Sequence, residues 1–157
     1  MAFQVFLVPS LHQPELAIVW QLQTLAQAYD LTLKTAKRTR LTPLSSADAA
    51  EIRRSDAVVV IATRPLGDHS NAEVREAHSA RKPIYWLMER GIASGIRRQR
   101  QNVVLFDRNE SITVVAEKID RVVARQKSSK EVQTALGWLL GIGAALFILD
   151  ALTTPDR

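Results

Sequence analysis

The polar side chains best suited to bind or transform a ligand follow two apolar segments of the chain. These segments, residues 3–8 and 57–62, are short runs of β-prone residues. Hydroxyl, guanidinium and carboxylate groups that converge at one place can bind a polar ligand. The candidate side chains are Ser10, Thr63, Arg64, Ser70 and Glu73. We expect a ligand site to be built from them if the fold brings the two segments together.

Composition and spacing exclude several other kinds of chemistry. The chain has no cysteine, which excludes disulfides, thiolate metal sites and a cysteine nucleophile. His12, His69 and His78 do not have the spacing of metal ligands, so we predict no metal site and no bound cofactor. Adjacent residues cannot reach triad geometry, which rules out a triad of Asp68, His69 and Ser70. The sequence also has no GxGxxG motif and no P-loop.

Apolar strands and amphipathic helices alternate along residues 1–126. The predicted strands are residues 3–8, 31–36, 57–62, 83–88 and 103–106. The run at 57–62 is apolar throughout, as expected of a central parallel strand covered on both faces. We predict a three-layer, flavodoxin-like α/β domain with a parallel five-stranded sheet in the order 2-1-3-4-5. In this order a ligand binds beyond the carboxyl ends of strands 1 and 3, where the strand order reverses.

The C-terminal part of the chain has a different composition. Residues 134–149 carry no charge, and the largely apolar stretch at 132–152 contains one charged residue, Asp150, near its distal end. About twenty apolar residues form a helix long enough to span a bilayer. We therefore predict a transmembrane helix at 132–152, preceded by a polar linker at 127–131 and followed by a short tail at 153–157. The alternative is a helix buried in the core or at a subunit interface.

The residues around and within this helix predict its orientation and partners. Four basic residues between 121 and 130 precede it, which places the domain on the cytoplasmic side of the inner membrane, beside anionic lipid. Gly137 and Gly141 have the GxxxG spacing of closely packed membrane helices, which predicts a homo-oligomer. We do not expect nucleic acid as a partner, because the basic clusters at 34–40 and 97–100 contain no aromatic residue for base stacking.

Residues 54–87, RSDAVVVIATRPLGDHSNAEVREAHSARKPIYWL, contain the most specific pattern in the chain. An apolar strand leads into a loop that ends in Ser70, followed by a helix that carries Glu73. Two to three turns later, Lys82-Pro83 leads into the next apolar strand. This arrangement resembles the TIR and nucleoside-deoxyribosyltransferase-like superfamily, and the resemblance extends over residues 1–125.

The resemblance implies a nucleotide-like ligand, often NAD, and cleavage of an N-glycosidic bond in active members. Glu73 would then stabilise the positive ribose of an oxocarbenium-like transition state or hold its hydroxyls. Ser10, Arg64 and Ser70 would orient ribose and phosphate oxygens, with Thr63 beside them. The resemblance further suggests a role in bacterial immunity or stress signalling, in which such domains act when assembled.

Two functional hypotheses follow from the sequence. The first is a membrane-anchored TIR-like domain that cleaves NAD or a related nucleotide as its substrate. The second is a non-catalytic module of the same fold that senses a nucleotide or self-assembles, and that is coupled to a membrane helix. An alignment counted forward from Ser70 selects Glu76 instead of Glu73 as the key acid. Glu73 also has a purely structural explanation, because the helix dipole favours acids in a first helical turn.

Overall fold

The computed structural model describes ten stretches of the chain and places nine named elements in them. The described residues are 3–9, 20–24, 26–27, 31–35, 44–62, 66–90, 102–107, 109, 111–124 and 130–153. The strands are β1 (Phe3–Pro9), β2 (Leu31–Thr35), β3 (Ala57–Ala62), β4 (Ile84–Glu89) and β5 (Val103–Phe106). The helices are α1 (Ser46–Arg54), α2 (Asp68–Ser79), α3 (Ile112–Ala124) and α4 (Lys130–Thr153). Residues 20–24 and 26–27 are also helical and are called the Leu22 segment.

The five strands form one parallel sheet in the order β2-β1-β3-β4-β5. Val5 of β1 lies opposite Leu33 on one side and Ala57 on the other. All six residues of β3 are buried, as expected for a central strand with both faces covered. The predicted parallel sheet and its strand order are therefore confirmed.

Alternating strand residues form two apolar clusters, one on each face of the sheet. The first, called the α4-side cluster, joins Leu7, Val59 and Leu87 to the Leu22 segment, α3 and α4. The second, called the α2-side cluster, consists of Phe6, Val8, Ile52, Val58, Val60, Ala62, Ala77, Ile84, Trp86 and Met88. Helices therefore cover both faces, which confirms the three-layer α/β arrangement.

Local chemistry defines the beginning of α1 and the end of α2. The Ser45 hydroxyl accepts a hydrogen bond from the Asp48 amide at 3.1 Å, so Ser45 is the N-cap of α1. At the end of α2, the Lys82 amide donates to the Ala77 carbonyl at 3.0 Å and the Arg81 amide donates to the His78 carbonyl at 3.0 Å. These are the two bonds of a Schellman motif, with Arg81 at φ 56 in the position that glycine usually takes. This turn leads the chain into β4.

The structure does not support the predicted transmembrane helix. Residues 130–153 do form a helix, α4, but this helix lies on the sheet, where Leu136, Leu139, Leu140 and Ala144 are at most 2% exposed. In the described part of the chain, no helix meets the length and apolarity needed to cross a membrane. An uncharged apolar helix suits a bilayer and an apolar sheet face equally well, so the composition that predicted a membrane span also fits this packing.

Candidate functional site

One side of α2 faces the sheet and carries two polar residues. Ser70, Glu73 and Ala77 are buried, and their spacing of three and four residues places them on the same side of the helix. Ala77 packs in the α2-side cluster with Val60 and Trp86. Ser70 is 0% exposed and Glu73 is 1% exposed, so both side chains lie between the helix and the sheet.

The direction of α2 places the N-terminal end of the helix at the edge of the sheet where β3 ends. The helix starts after the carboxyl end of β3 and finishes before the start of β4, so it runs antiparallel to both strands. In any α-helix the bond from Cα to Cβ tilts toward the N-terminus. The Cα–Cβ bonds of Ser70 and Glu73 therefore tilt toward the carboxyl edge of the sheet. This edge includes the reversal of strand order between β1 and β3, where open α/β sheets bind ligands.

The structure distinguishes the two acids that the sequence left as alternatives. Glu76 is 26% exposed, and its Oε1 lies 2.7 Å from Nη1 of Arg53 on α1. Its carboxylate therefore links two neighbouring helices near the surface. Glu73, three residues earlier, faces the sheet. Of the two acids, Glu73 occupies the position suited to a ligand site.

The observed start of α2 rules out the helix dipole as the structural explanation for an acid at position 73. The explanation by the helix dipole requires Glu73 to lie in the first turn of its helix. The helix begins at Asp68, so Glu73 is its sixth residue and lies in the second turn. The helix dipole acts mainly within the first turn, where Asp68 lies. The dipole therefore does not explain an acid at position 73, and a glutamate that is almost fully buried on a surface helix is rare in proteins.

Of the four other predicted site residues, the structure describes one. Ser70 lies on the same side of α2 as Glu73, as the site prediction requires. Ser10, Thr63 and Arg64 lie outside the described residues. No group of three or more His, Cys, Asp and Glu within the described ranges could hold a metal ion.

Trp86 stands in the apolar run that predicts the fourth strand, and this position predicts a core residue. It is buried, with 5% of its surface exposed, and it packs in the α2-side cluster. Within the part of the chain that the structure describes, its indole Nε1 has no hydrogen-bond acceptor. Nothing in the sequence around Trp86 signals this feature, because a tryptophan in an apolar strand is ordinary core composition.

Comparison with known proteins adds no further assignment. No protein-family profile and no curated protein matches this sequence. The resemblance to the TIR and nucleoside-deoxyribosyltransferase-like superfamily therefore rests on the residue pattern at 54–87.

Proposed function

We propose that this chain is a TIR-like domain that binds NAD or a related nucleotide and cleaves its N-glycosidic bond, with Glu73 as the essential acid. The observation that carries the proposal is the burial of Glu73 on the sheet-facing side of α2, the helix that starts at the carboxyl edge of the sheet. This is the place where a parallel α/β sheet binds its ligands.

The proposed reaction needs a negative group beside the ribose. As the bond between C1′ and the base nitrogen breaks, the bonding electron pair leaves with the base and positive charge develops on the ribose. Water then adds at C1′ and loses a proton. A carboxylate at Glu73 stabilises the positive charge most strongly where water is excluded, because electrostatic interactions are stronger at low dielectric. The burial of Glu73 is consistent with this role.

The test compares NAD cleavage by the full chain with cleavage by two matched variants. Glu73→Gln keeps the size of the side chain and removes the charge, and we expect it to lower the cleavage rate by about 100-fold or more. Glu76→Gln is the control. It removes only an ion pair near the surface, which is worth at most about 1 kcal/mol, so the rate should stay close to that of the parent. Release of the free base is measured by chromatography.

Binding measured separately by calorimetry decides between the two functional hypotheses. A folded parent that binds NAD without cleaving it supports the alternative, a non-catalytic nucleotide-sensing module. A parent that neither binds nor cleaves NAD overturns the proposal. Loss of cleavage in Glu76→Gln with full activity in Glu73→Gln would assign the acid role to Glu76 instead.

We further propose that the domain acts in an assembled state, at the inner face of a membrane, in immune or stress signalling. The support is the four basic residues between 121 and 130, which suit an anionic lipid surface, and the spacing of Gly137 and Gly141. A Cβ atom added at either glycine would meet nothing within 4 Å among the described residues, so that side of α4 has room for a partner. Membrane fractionation and measurement of the oligomeric state test these proposals independently of catalysis.

A further inference from the structure

The buried indole nitrogen of Trp86 is a hydrogen-bond donor for which the described structure provides no acceptor. Trp86 is the third residue of β4 and is 5% exposed. A buried donor without a partner loses the hydrogen bonds that it made to water, so native proteins contain few of them. Such a group calls for a physical explanation, and a ligand is one that can be tested.

Trp86 belongs to the same apolar cluster as the side of α2 that carries Glu73. Its side chain lies in the α2-side cluster together with Ala77, which is on the same side of α2 as Glu73 and one turn further along. Both Trp86 and Glu73 lie near the middle of their elements, which run antiparallel across the same face of the sheet. Trp86 pairs with Val60 of β3, the strand that leads into α2. Trp86 and Glu73 are therefore both buried on the face of the sheet that α2 covers.

We propose that Trp86 is a ligand-positioning residue whose Nε1–H donates a hydrogen bond to an acceptor atom of the ligand bound beside Glu73. The indole nitrogen can only donate, so the ligand must offer a carbonyl oxygen or an unprotonated ring nitrogen. Glu73, as an acceptor, takes the hydroxyl groups of the sugar. The ligand class is thus a nucleoside or nucleotide with an acceptor on its base. This inference rests on the proposed function and adds a determinant of base specificity to it.

A donor buried in the site discriminates against ligands that lack the matching acceptor. When such a ligand binds, the indole N–H stays unpaired in a site that excludes water, and binding is weakened. Trp86→Phe keeps an aromatic ring in the α2-side cluster and removes the donor. We expect this variant to bind NAD roughly three- to ten-fold more weakly than the parent, as expected for the loss of one hydrogen bond between neutral groups.

The closing experiment follows the indole N–H resonances of the full chain labelled with ¹⁵N. The chain has three tryptophans, so three indole signals are expected, and the Trp86→Phe spectrum identifies the signal of Trp86. Addition of NAD should move the Trp86 signal downfield, because a hydrogen bond deshields its proton. Trp20→Phe is the control, since Trp20 is 67% exposed and belongs to the Leu22 segment on the opposite face of the sheet. This variant should bind NAD as the parent does.

The outcomes separate this inference from the proposed function. If backbone amide signals shift with NAD while the Trp86 indole signal stays in place, NAD binds without using Trp86 and the inference is overturned. Unchanged NAD affinity in Trp86→Phe has the same meaning, and an internal acceptor or a bound water then accounts for the donor. If no signal shifts in a folded parent, the proposed function itself fails.

Discussion

At the scale of residues, the environments of Glu73 and Glu76 differ although both belong to the same helix. Glu76 and Arg53 form an ion pair near the surface, which contributes little to stability because water and salt screen it. Glu73 is buried, with 1% of its surface exposed, and a charge has a larger effect on its surroundings in a buried position than at the surface. A change of charge at position 73 should therefore alter function far more than the same change at position 76.

Ionisation of Tyr85 makes the stability of the protein depend on pH in the alkaline range. Burial raises the pKa of the Tyr85 hydroxyl above its ordinary value of 10.0, because the phenolate is poorly solvated in the core. Below pH 10 the hydroxyl is neutral in both folded and unfolded chains, and its contribution to stability is complete. As the pH rises through the folded-state pKa this contribution is lost, because only the unfolded chain ionises readily.

We therefore expect the unfolding free energy of the parent to fall from about pH 10 upward, and to fall less in Tyr85→Phe. Denaturant titrations at several pH values measure this difference. The absorbance difference at alkaline pH between parent and Tyr85→Phe isolates the ionisation of this tyrosine. If the absorbance difference has its titration midpoint at or below pH 10, the predicted upward shift of the Tyr85 pKa is contradicted.

Arg81 adopts a backbone conformation that suits glycine better. Its φ of 56 brings Cβ close to the backbone, a strain that glycine does not have. We expect Arg81→Gly to raise the unfolding free energy by about 0.5–1 kcal/mol, since part of the gain is offset by the greater freedom of glycine in the unfolded chain. Thermal unfolding provides the measurement. Arg75→Gly, at an exposed position inside α2, is the control and should lower stability by about 1 kcal/mol.

At the scale of elements, α4 has two different sides. A Cβ atom added at Gly143 would lie 3.4 Å from Leu87 Cδ2 and 3.8 Å from Ile61 Cδ1, so this side fits closely against the sheet. At Gly137 and Gly141 the added atom would meet no described atom within 4 Å. Substitutions at Gly143 therefore test the packing of α4 against the sheet, and substitutions at Gly137 and Gly141 test the outward side of the helix.

Leucine substitutions at these glycines test the packing of α4. Gly143→Leu should lower the unfolding free energy by roughly 1–3 kcal/mol, because the larger side chain does not fit against Leu87 and Ile61. Gly137→Leu, the matched control, should leave stability unchanged or raise it by up to about 1 kcal/mol through better helix propensity. Chemical denaturation of the three proteins measures both effects. Equal stability of the two variants would indicate that α4 does not pack on the sheet.

At the scale of the whole molecule, α4 contributes a large part of the cover over one face of the sheet. Leu136, Leu139 and Leu140 are each about 1% exposed, and burial of a leucine contributes roughly 1.5–3 kcal/mol. Three such residues contribute on the order of 5–9 kcal/mol. This amount is comparable to the entire stability of a typical domain.

We therefore expect a chain that ends at residue 129 to be unfolded or aggregated, because an apolar face of the sheet would be exposed. Circular dichroism and gel filtration provide the measurement. In the full-length chain, Leu140→Ala should cost about 2–5 kcal/mol, whereas Thr134→Ala, at an exposed position, should cost little. A truncated chain that is folded and soluble would contradict this packing and would agree with a membrane helix that is separate from the domain.

Much of the fold follows from the amino-acid sequence alone, because it depends on local patterns. The continuous apolar runs at 57–62 and 84–88 predict buried strands, and alternation with helices predicts a parallel sheet. The spacing of Val115, Ile119 and Val122 predicts the buried side of α3. Ser45 predicts the start of α1. The start of α2 was less clear because Asp68, His69 and Ser70 are as common in loops as in a first helical turn.

The tertiary structure decided the features that depend on contacts between distant segments. The sequence left Glu73 and Glu76 as alternatives, and the packing of α2 showed which of them faces the sheet. The absence of an acceptor for Trp86 among the described residues depends on every segment around it. The position of α4 is the clearest case. An apolar helix gains free energy by leaving water whether it enters a bilayer or covers a sheet, and only the apolar face of this sheet supplied the surface on which it packs.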